Sequence, residues 1–300
     1  MAEGQFDFDI YGRKIFFVNP SPSIEADLVS PLRRDEYEVY TIENFRDAKN
    51  ILRQNPRSIL FADIDSQLSV PEWFNFIQSF KREDSLRQIV VFTLSSKLKP
   101  AEAAVFRKFL GQSEGVLDLT LGAESIRRLI EDVLSRLGAK GRRKFLRADL
   151  SFDKNSSLFW SYSGQIHEMR FCFLSSVGMA VKVPASLVNL KVDKAFTLQG
   201  VTLKLGAHQV EASAQVFAVR RTFVETVWIL LLAEDTAESV KDEIRSYVFQ
   251  VLEERVQLSI NGFKRDETDY SEMSDWIFAA KEKGRVENPL FSHVPGRNFT

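Results

Sequence analysis

The segment Val201-Thr202-Leu203-Lys204-Leu205-Gly206-Ala207-His208-Gln209-Val210-Glu211-Ala212-Ser213-Ala214-Gln215-Val216 decides how the second half of the chain folds. Val201, Leu203 and Leu205 alternate with Thr202 and Lys204. After Gly206-Ala207, Val210, Ala212, Ala214 and Val216 alternate with Glu211, Ser213 and Gln215. Successive strand side chains point to opposite faces, so this spacing collects the apolar residues on one face of an antiparallel pair. Outward from it, residues 227–233 are wholly apolar and fit a buried strand, and 158–163, 168–173 and 179–183 fit further strands. Six short strands, joined by turns such as Ser163-Gly164 and Gly206-Ala207, read as a small antiparallel barrel. Residues 237–255 then set Val240, Ile244, Val248 and Val251 on one stripe of a long amphipathic helix.

The first half has a different rhythm. Runs 14–18, 37–42, 58–64, 88–94 and 115–121 are short and rich in β-branched and aromatic residues, as strands buried on both faces are. Between them the apolar residues recur at helical spacing: Phe45, Ala48, Ile51 and Leu52 within 44–55, and Trp73, Phe74, Ile77 and Phe80 within 71–83. Segments 100–110 and 123–137 behave likewise, and 23–34 occupies the place of a first helix. Five strands alternating with five helices predict a parallel sheet covered on both faces.

Length agrees with two folded parts, since single cores seldom stay efficient beyond about 150 to 250 residues and this chain has 300. A composition of 44% hydrophobic and 27% charged residues, with 14 Gly and 9 Pro, excludes collagenous and largely disordered classes. Forty basic against 41 acidic residues give a formal net charge of −1, so no bulk positive field draws in DNA or RNA and any anion site must be local. A single cysteine, Cys172, rules out an intramolecular disulfide and a multi-thiolate metal cage. The longest apolar run is far shorter than a membrane helix needs, and residues 1–10 carry acids without an apolar core of the secretory type. The expectation is a cytoplasmic protein with no membrane insertion and no nucleic-acid partner.

Over residues 12–140 the order and lengths of the elements resemble the receiver domain of two-component response regulators, a flavodoxin-like doubly wound fold. That resemblance implies a phosphoacceptor Asp ending the third strand, two acids after the first to hold Mg²⁺, a hydroxyl after the fourth and a Lys after the fifth. Asp63 stands at the acceptor position and Thr93 fits the hydroxyl position. The acid pair is replaced by Asn19-Pro20, and Thr120-Leu121-Gly122 contains no Lys. Mg²⁺ is normally anchored through carboxylates, without which the phosphoryl oxygens lose their main counter-charge. Two readings of Asp63 follow: a doubtful phosphoacceptor, or a solvated acid, like Asp65, at a strand end. Residues 12–138 are therefore expected to form a pseudo-receiver, kept for contacts rather than for phosphate chemistry.

A basic linker, 139–147, joins the halves and contains Arg142, Arg143 and Arg147. Arg143-x-x-x-Arg147, followed after an early strand by Phe173-Leu174-Ser175-Ser176-Val177-Gly178, resembles the two motifs of PilZ domains, RxxxR and (D/N)xSxxG. The resemblance covers about 141–256 and includes the apolar last strand and the helix after it. It implies a PilZ-like barrel over 148–260 that binds the bacterial second messenger cyclic di-GMP through Arg142, Arg143, Arg147, Ser175 and Gly178. A planar guanidinium forms bidentate contacts with phosphate or with the O6/N7 edge of guanine and stacks on a purine. Ser175 would supply a hydrogen bond and Gly178 a close backbone approach; a simple tight turn is the other reading of the same residues. The departure is Phe173, where the family places an acceptor for guanine N–H donors; an unpaired donor there costs about 1–3 kcal/mol.

No P-loop, GxGxxG, GxSxG or HExxH motif occurs, and His167, His208 and His293 are scattered, as expected of ordinary surface or turn residues. Cys172 reads as a strand residue rather than a nucleophile. The tail 261–300 is expected to be partly flexible, with a helix around 270–283 whose Trp276, Ile277 and Phe278 could dock. The chain reads as a non-enzymatic signalling effector without a cofactor. Cyclic di-GMP is its ligand, and the binding signal passes by domain reorientation to an unidentified protein partner. A ligand-free adaptor and a phosphorylated response regulator remain the alternatives.

Overall fold

The computed structural model describes residues 12–111, 115–258, 262 and 264–271. The chain divides into two units: the described residues of one lie within Met1–Arg33, Glu38–Gly141 and Gly262–Thr300, and the other comprises Arg34–Tyr37 and Arg142–Asn261.

In the first unit, Ile15–Val18 (β1), Val39–Ile42 (β2), Ile59–Asp63 (β3), Val90–Ser95 (β4) and Val116–Asp118 (β5) form an all-parallel sheet of order β2-β1-β3-β4-β5. This is the flavodoxin-like order. Every residue of β1 and β3 is buried, which is why neither sequence alternates. Register places Phe17, Phe61 and Phe92 side by side, and their rings stack at 5.0 and 5.1 Å. Helix α1 spans 22–34 and contains one π-helical turn, Glu25–Val29. Phe45–Arg53 (α2) begins at Asn44, whose side chain accepts from the Arg46 N–H. Val70–Arg82 (α3) is started by a reciprocal Ser69/Glu72 cap. Pro100–Leu110 (α4) and Ala123–Arg136 (α5) complete the layers.

The expected strand 115–121 is shortened to three residues. The Asp118 carboxylate accepts from the Thr120 N–H at 2.9 Å and its hydroxyl at 2.7 Å, and Leu119–Leu121 becomes a 3-10 turn. The unit also runs past residue 138, because the Arg13 N–H donates to the Ala139 carbonyl at 3.0 Å and Gly12 bridges Lys140.

Part of the supposed tail is docked within this unit. The Lys264 and Tyr270 carbonyls accept from the side-chain amides of Asn50 (2.7 Å) and Asn75 (2.5 Å), and the Asp266 N–H donates to the Arg46 carbonyl at 3.1 Å. Tyr270 is buried edge-on against Phe45 and Phe76. Lys49 pairs with Asp266 at 3.1 Å and lies over the Tyr270 ring. The expected helix around 270–283, with Trp276, Ile277 and Phe278, and His293 lie outside the described residues, as does the segment 1–10.

In the second unit, Ala148–Asp149 (β6), Ser156–Tyr162 (β7), Gln165–Ser175 (β8), Gly178–Lys182 (β9), Thr197–Leu205 (β10), His208–Arg221 (β11) and Thr226–Leu232 (β12) are all antiparallel. Six of them close a barrel in the order β7-β10-β11-β12-β9-β8, and the short β6 adds to β8. Trp160, Trp228, Phe171 and Leu203 fill the interior. Glu238–Leu258 (α6) packs Ile244, Tyr247 and Val248 on that core, and the Tyr247 hydroxyl donates to Asp153 at 2.6 Å. His167 is not a surface histidine: it is buried in β8, with Nδ1 3.0 Å from the Ser186 hydroxyl. Among the described residues no helix is long and apolar enough to cross a membrane.

Burial opposes ionisation of Asp266, but hydrogen bonds from Thr268 and Tyr270 and the charge of Lys49 outweigh it and hold the carboxyl well below the usual range. Its stabilising contribution is therefore present at neutral pH and lost as pH falls below about 3.9, the ordinary carboxylate value, towards the depressed one. Lys49→Met removes the buried cation and should weaken docking of residues 264–271 by about 1.5–3 kcal/mol. Faster amide exchange at Asp266 with unchanged exchange in β3 is the expected result.

Candidate functional site

From 141 to 147 the backbone follows no regular secondary structure, and Arg142, Arg143 and Arg147 are exposed along it. The stretch is fixed near its end. Leu146 packs against the barrel core, and its N–H donates to Glu36 Oε2 at 3.0 Å. Ala148 and Asp149 then pair with Leu174 and Phe173. Arg147 thereby enters the ladder at the Ser175 end of β8. The end of the first sequence pattern is thus brought to the start of the Ser175 turn, although β7 and most of β8 separate them in the chain.

Ser175 pairs with Gly178 across a turn made by Ser176 and Val177. The Ser175 hydroxyl is buried and donates to the Gly178 carbonyl at 2.8 Å. The Val177 carbonyl accepts from the Leu232 N–H at 3.0 Å. A Cβ on Gly178 would stand 2.5 Å from the Leu230 carbonyl, so the glycine is demanded by the closeness of β9 to β12. Ser175 and Gly178 thus shape the turn, and the exposed Arg147 adjoins the Ser175 end of the strand that leads into it.

Phe173 faces outward because of a bulge. The β8–β9 register shifts between Phe171 and Phe173, so Phe171 and Cys172 are both buried in succession and Phe173 is 45% exposed. Burial pushes the Cys172 thiol above its ordinary pKa, which disfavours the nucleophilic thiolate. Directly across the ladder from Phe173 is Asp149, whose carboxylate accepts from the Ser151 N–H at 2.9 Å. Burial raises the Asp149 carboxyl, but the Ser151 hydrogen bonds and the charge of Arg255 prevail and hold it below the usual range. Asp149 belongs to no motif; only the strand pairing reveals it.

Glu36 is a second residue that sequence reading missed. It lies in the four-residue piece Arg34–Tyr37 that belongs to this unit. Its Oε1 accepts from the Ser176 hydroxyl at 2.6 Å and from Arg245 Nε at 3.1 Å, with both charged side chains largely buried. One carboxylate therefore ties the linker, the turn and helix α6 together. One acid beside Asp35 and near Glu38 on a loop carries no signal of this in the sequence.

In the first unit, Asp63 is buried rather than solvated. Desolvation is the main cause of its raised pKa; backbone N–H groups of Asp65 (3.1 Å) and Ser21 (3.2 Å) donate to its two oxygens and partly offset that. Asn19 donates to the Asp63 carbonyl at 3.0 Å and to the Ser66 hydroxyl at 2.9 Å. Thr93 does not serve as the expected hydroxyl partner: it is fully buried and donates to the Gly115 carbonyl at 3.1 Å. Ser95 and Ser96 donate instead to Asp65, and Lys97 donates to the Asp65 carbonyl at 3.0 Å. Asp65 too is a structural acceptor and not a free surface acid.

No protein-family model matches the sequence, and no curated protein matches it. Among solved structures, the chain is similar to the PilZ domain with c-di-GMP of YcgR from Escherichia coli, at 12% identity over 39% of this chain and 97% of that one, with a TM-score of 0.35. It is also similar to the Bacillus subtilis inhibitor of motility MotI/DgrA (18% identity, 41% of this chain, 53% of that one, TM-score 0.31) and to the MrkH–c-di-GMP complex of K. pneumonia (16%, 39%, 55%, TM-score 0.35). The chain thus spans nearly all of the isolated YcgR domain and about half of MotI and MrkH.

Gly178→Ala should destabilise the second unit by about 1–3 kcal/mol, because the added methyl meets backbone rather than a movable side chain. Urea unfolding followed by tryptophan fluorescence measures this, since Trp160 and Trp228 lie in that core.

Proposed function

We propose that the chain is a non-enzymatic signalling effector whose barrel binds cyclic di-GMP at Arg142, Arg143 and Arg147 beside the Ser175–Gly178 turn. One observation supports this reading: pairing of β6 with β8 sets Arg147, the last residue of the arginine pattern, next to the Ser175 end of β8. Three exposed guanidinium groups on six consecutive residues form a local cationic site in a chain of near-zero net charge. A compact cyclic dinucleotide carries two phosphate charges and two flat bases, which match bidentate and stacking contacts of guanidinium. The turn supplies a rigid floor, fixed by the Ser175 and Val177 hydrogen bonds.

A ligand that clasps the irregular linker must lose free energy to ordering it, so it shifts the chain towards whichever arrangement it binds better. Reorientation of the two units would carry that difference to a protein partner in the cytoplasm. The receiver-like unit serves contacts in this scheme. Its acceptor-position Asp63 is buried among backbone donors and has an asparagine amide next to it. A ligand-free adaptor is the second reading, favoured by the phenyl ring of Phe173 at the place of a polar acceptor.

Calorimetric titration of the full chain with cyclic di-GMP tests the proposal. Each charge-assisted hydrogen bond contributes about 1.5–3 kcal/mol. Arg143→Ala and Arg147→Ala should therefore each weaken binding by roughly ten- to hundredfold, and affinity should fall with added salt. Equal affinity in all three proteins removes the arginine site. No binding by the wild type favours the adaptor.

A further inference from the structure

The outer face of the barrel beside this turn carries a juxtaposition outside both sequence motifs. Phe173 is directed outward, and its neighbours across the two ladders are Asp149 on β6 and Ala180 on β9. Directly opposed residues of an antiparallel pair project to the same face. A carboxylate therefore stands at one edge of an open phenyl ring, and only a methyl group at the other. Arg147 and Asp149 flank the buried Ala148, so a cation lies at the same end of the platform.

An exposed aromatic ring is a stacking surface for a flat base. A carboxylate next to it accepts from two adjacent donors. Guanine presents a ring N–H and an amino group side by side on one edge, whereas adenine presents an acceptor ring nitrogen there. The geometry points to Phe173 and Asp149 as the base-recognition pair of the site: the ring stacks on a purine, and the carboxylate accepts from the ring N–H and amino group of guanine, selecting it over adenine. This rests on the reading that the arginine-lined site takes cyclic di-GMP, and adds which residues outside both motifs read its base.

Asp149 is already oriented for the task. The Ser151 N–H holds Oδ1 at 2.9 Å, and Arg255 donates to the Asp149 carbonyl. Four lone-pair positions on the carboxylate leave capacity for a guest. The acceptor that Phe173 cannot provide is thus supplied one strand over, and the replaced position becomes the stacking surface.

Titration of the full chain with cyclic di-GMP and cyclic di-AMP, in wild type, Asp149→Asn and Phe173→Leu, tests the pair. Asparagine keeps an acceptor for the Ser151 N–H, so the local turn survives, but it sets an amide donor against the donors of guanine. The expected result for Asp149→Asn is a roughly ten- to hundredfold loss of preference for cyclic di-GMP over cyclic di-AMP, with an unchanged circular dichroism spectrum. Phe173→Leu should weaken both ligands about tenfold while keeping the preference. Wild-type preference in Asp149→Asn, in a protein whose Arg147→Ala variant does lose binding, overturns the base-recognition pair and leaves the arginine site standing. Failure of the wild type to bind cyclic di-GMP overturns both.

Discussion

The geometry of the barrel site depends on one extra residue in β8. That strand must pair with β7 along its first half and with β9 along its second, while β6 adds beside its end. Closure leaves no barrel edge open, but it requires β8 to bend as it changes partner. The bulge at Cys172 supplies the bend by burying two consecutive residues and resetting the alternation. With regular alternation maintained from Phe171, Phe173 would point into the core and Leu174 out of it. The bulge therefore decides which side chain meets solvent beside the arginines, and puts Asp149 next to it.

Several residues at the two sites carry structural duties first. Gly178 is fixed by the Leu230 carbonyl, Ser175 by the Gly178 carbonyl, and Ser176 by Glu36. Arg142, Arg143 and Arg147 and the outward face of the β6–β8 ladder are exposed beside these braced residues only in part, with Phe173 the most open of that ladder. The receiver-like unit shows the contrary case. Asp63 and Asp65 accept from the backbone and side chains around them, so two acids whose place at a strand end suggests solvation act as bracing. The docked segment 264–271 extends the same economy to the end of the described chain, where Tyr270 completes an aromatic cluster with Phe45 and Phe76.

Both architectures were legible from residue spacing. Runs such as Ile59–Ala62, apolar throughout, belong to strands buried on both faces, and the alternation of 201–216 belongs to strands with one wet face; these are local consequences of strand geometry. The arginines and the Ser175–Gly178 turn were legible as motifs. The departures share a cause: residue type points to a solvated Asp63, a site hydroxyl at Thr93 and a surface His167, while the burial of all three is set by neighbours distant in sequence. The role of Asp118 in ending β5 and the docking of 264–271 escaped for the same reason.

The sequence by itself determined the number and type of elements, the parallel and antiparallel halves, and the charge of the linker, because these follow from periodicity and composition within a few residues. Only the tertiary structure decided that Arg147 adjoins the Ser175 end of β8, that Glu36 joins the linker, turn and helix α6, and that Asp149 lies across the ladder from Phe173. Strand pairing and register are long-range choices, made by which faces must be buried together and by where a bulge shifts the count, and no local pattern encodes them.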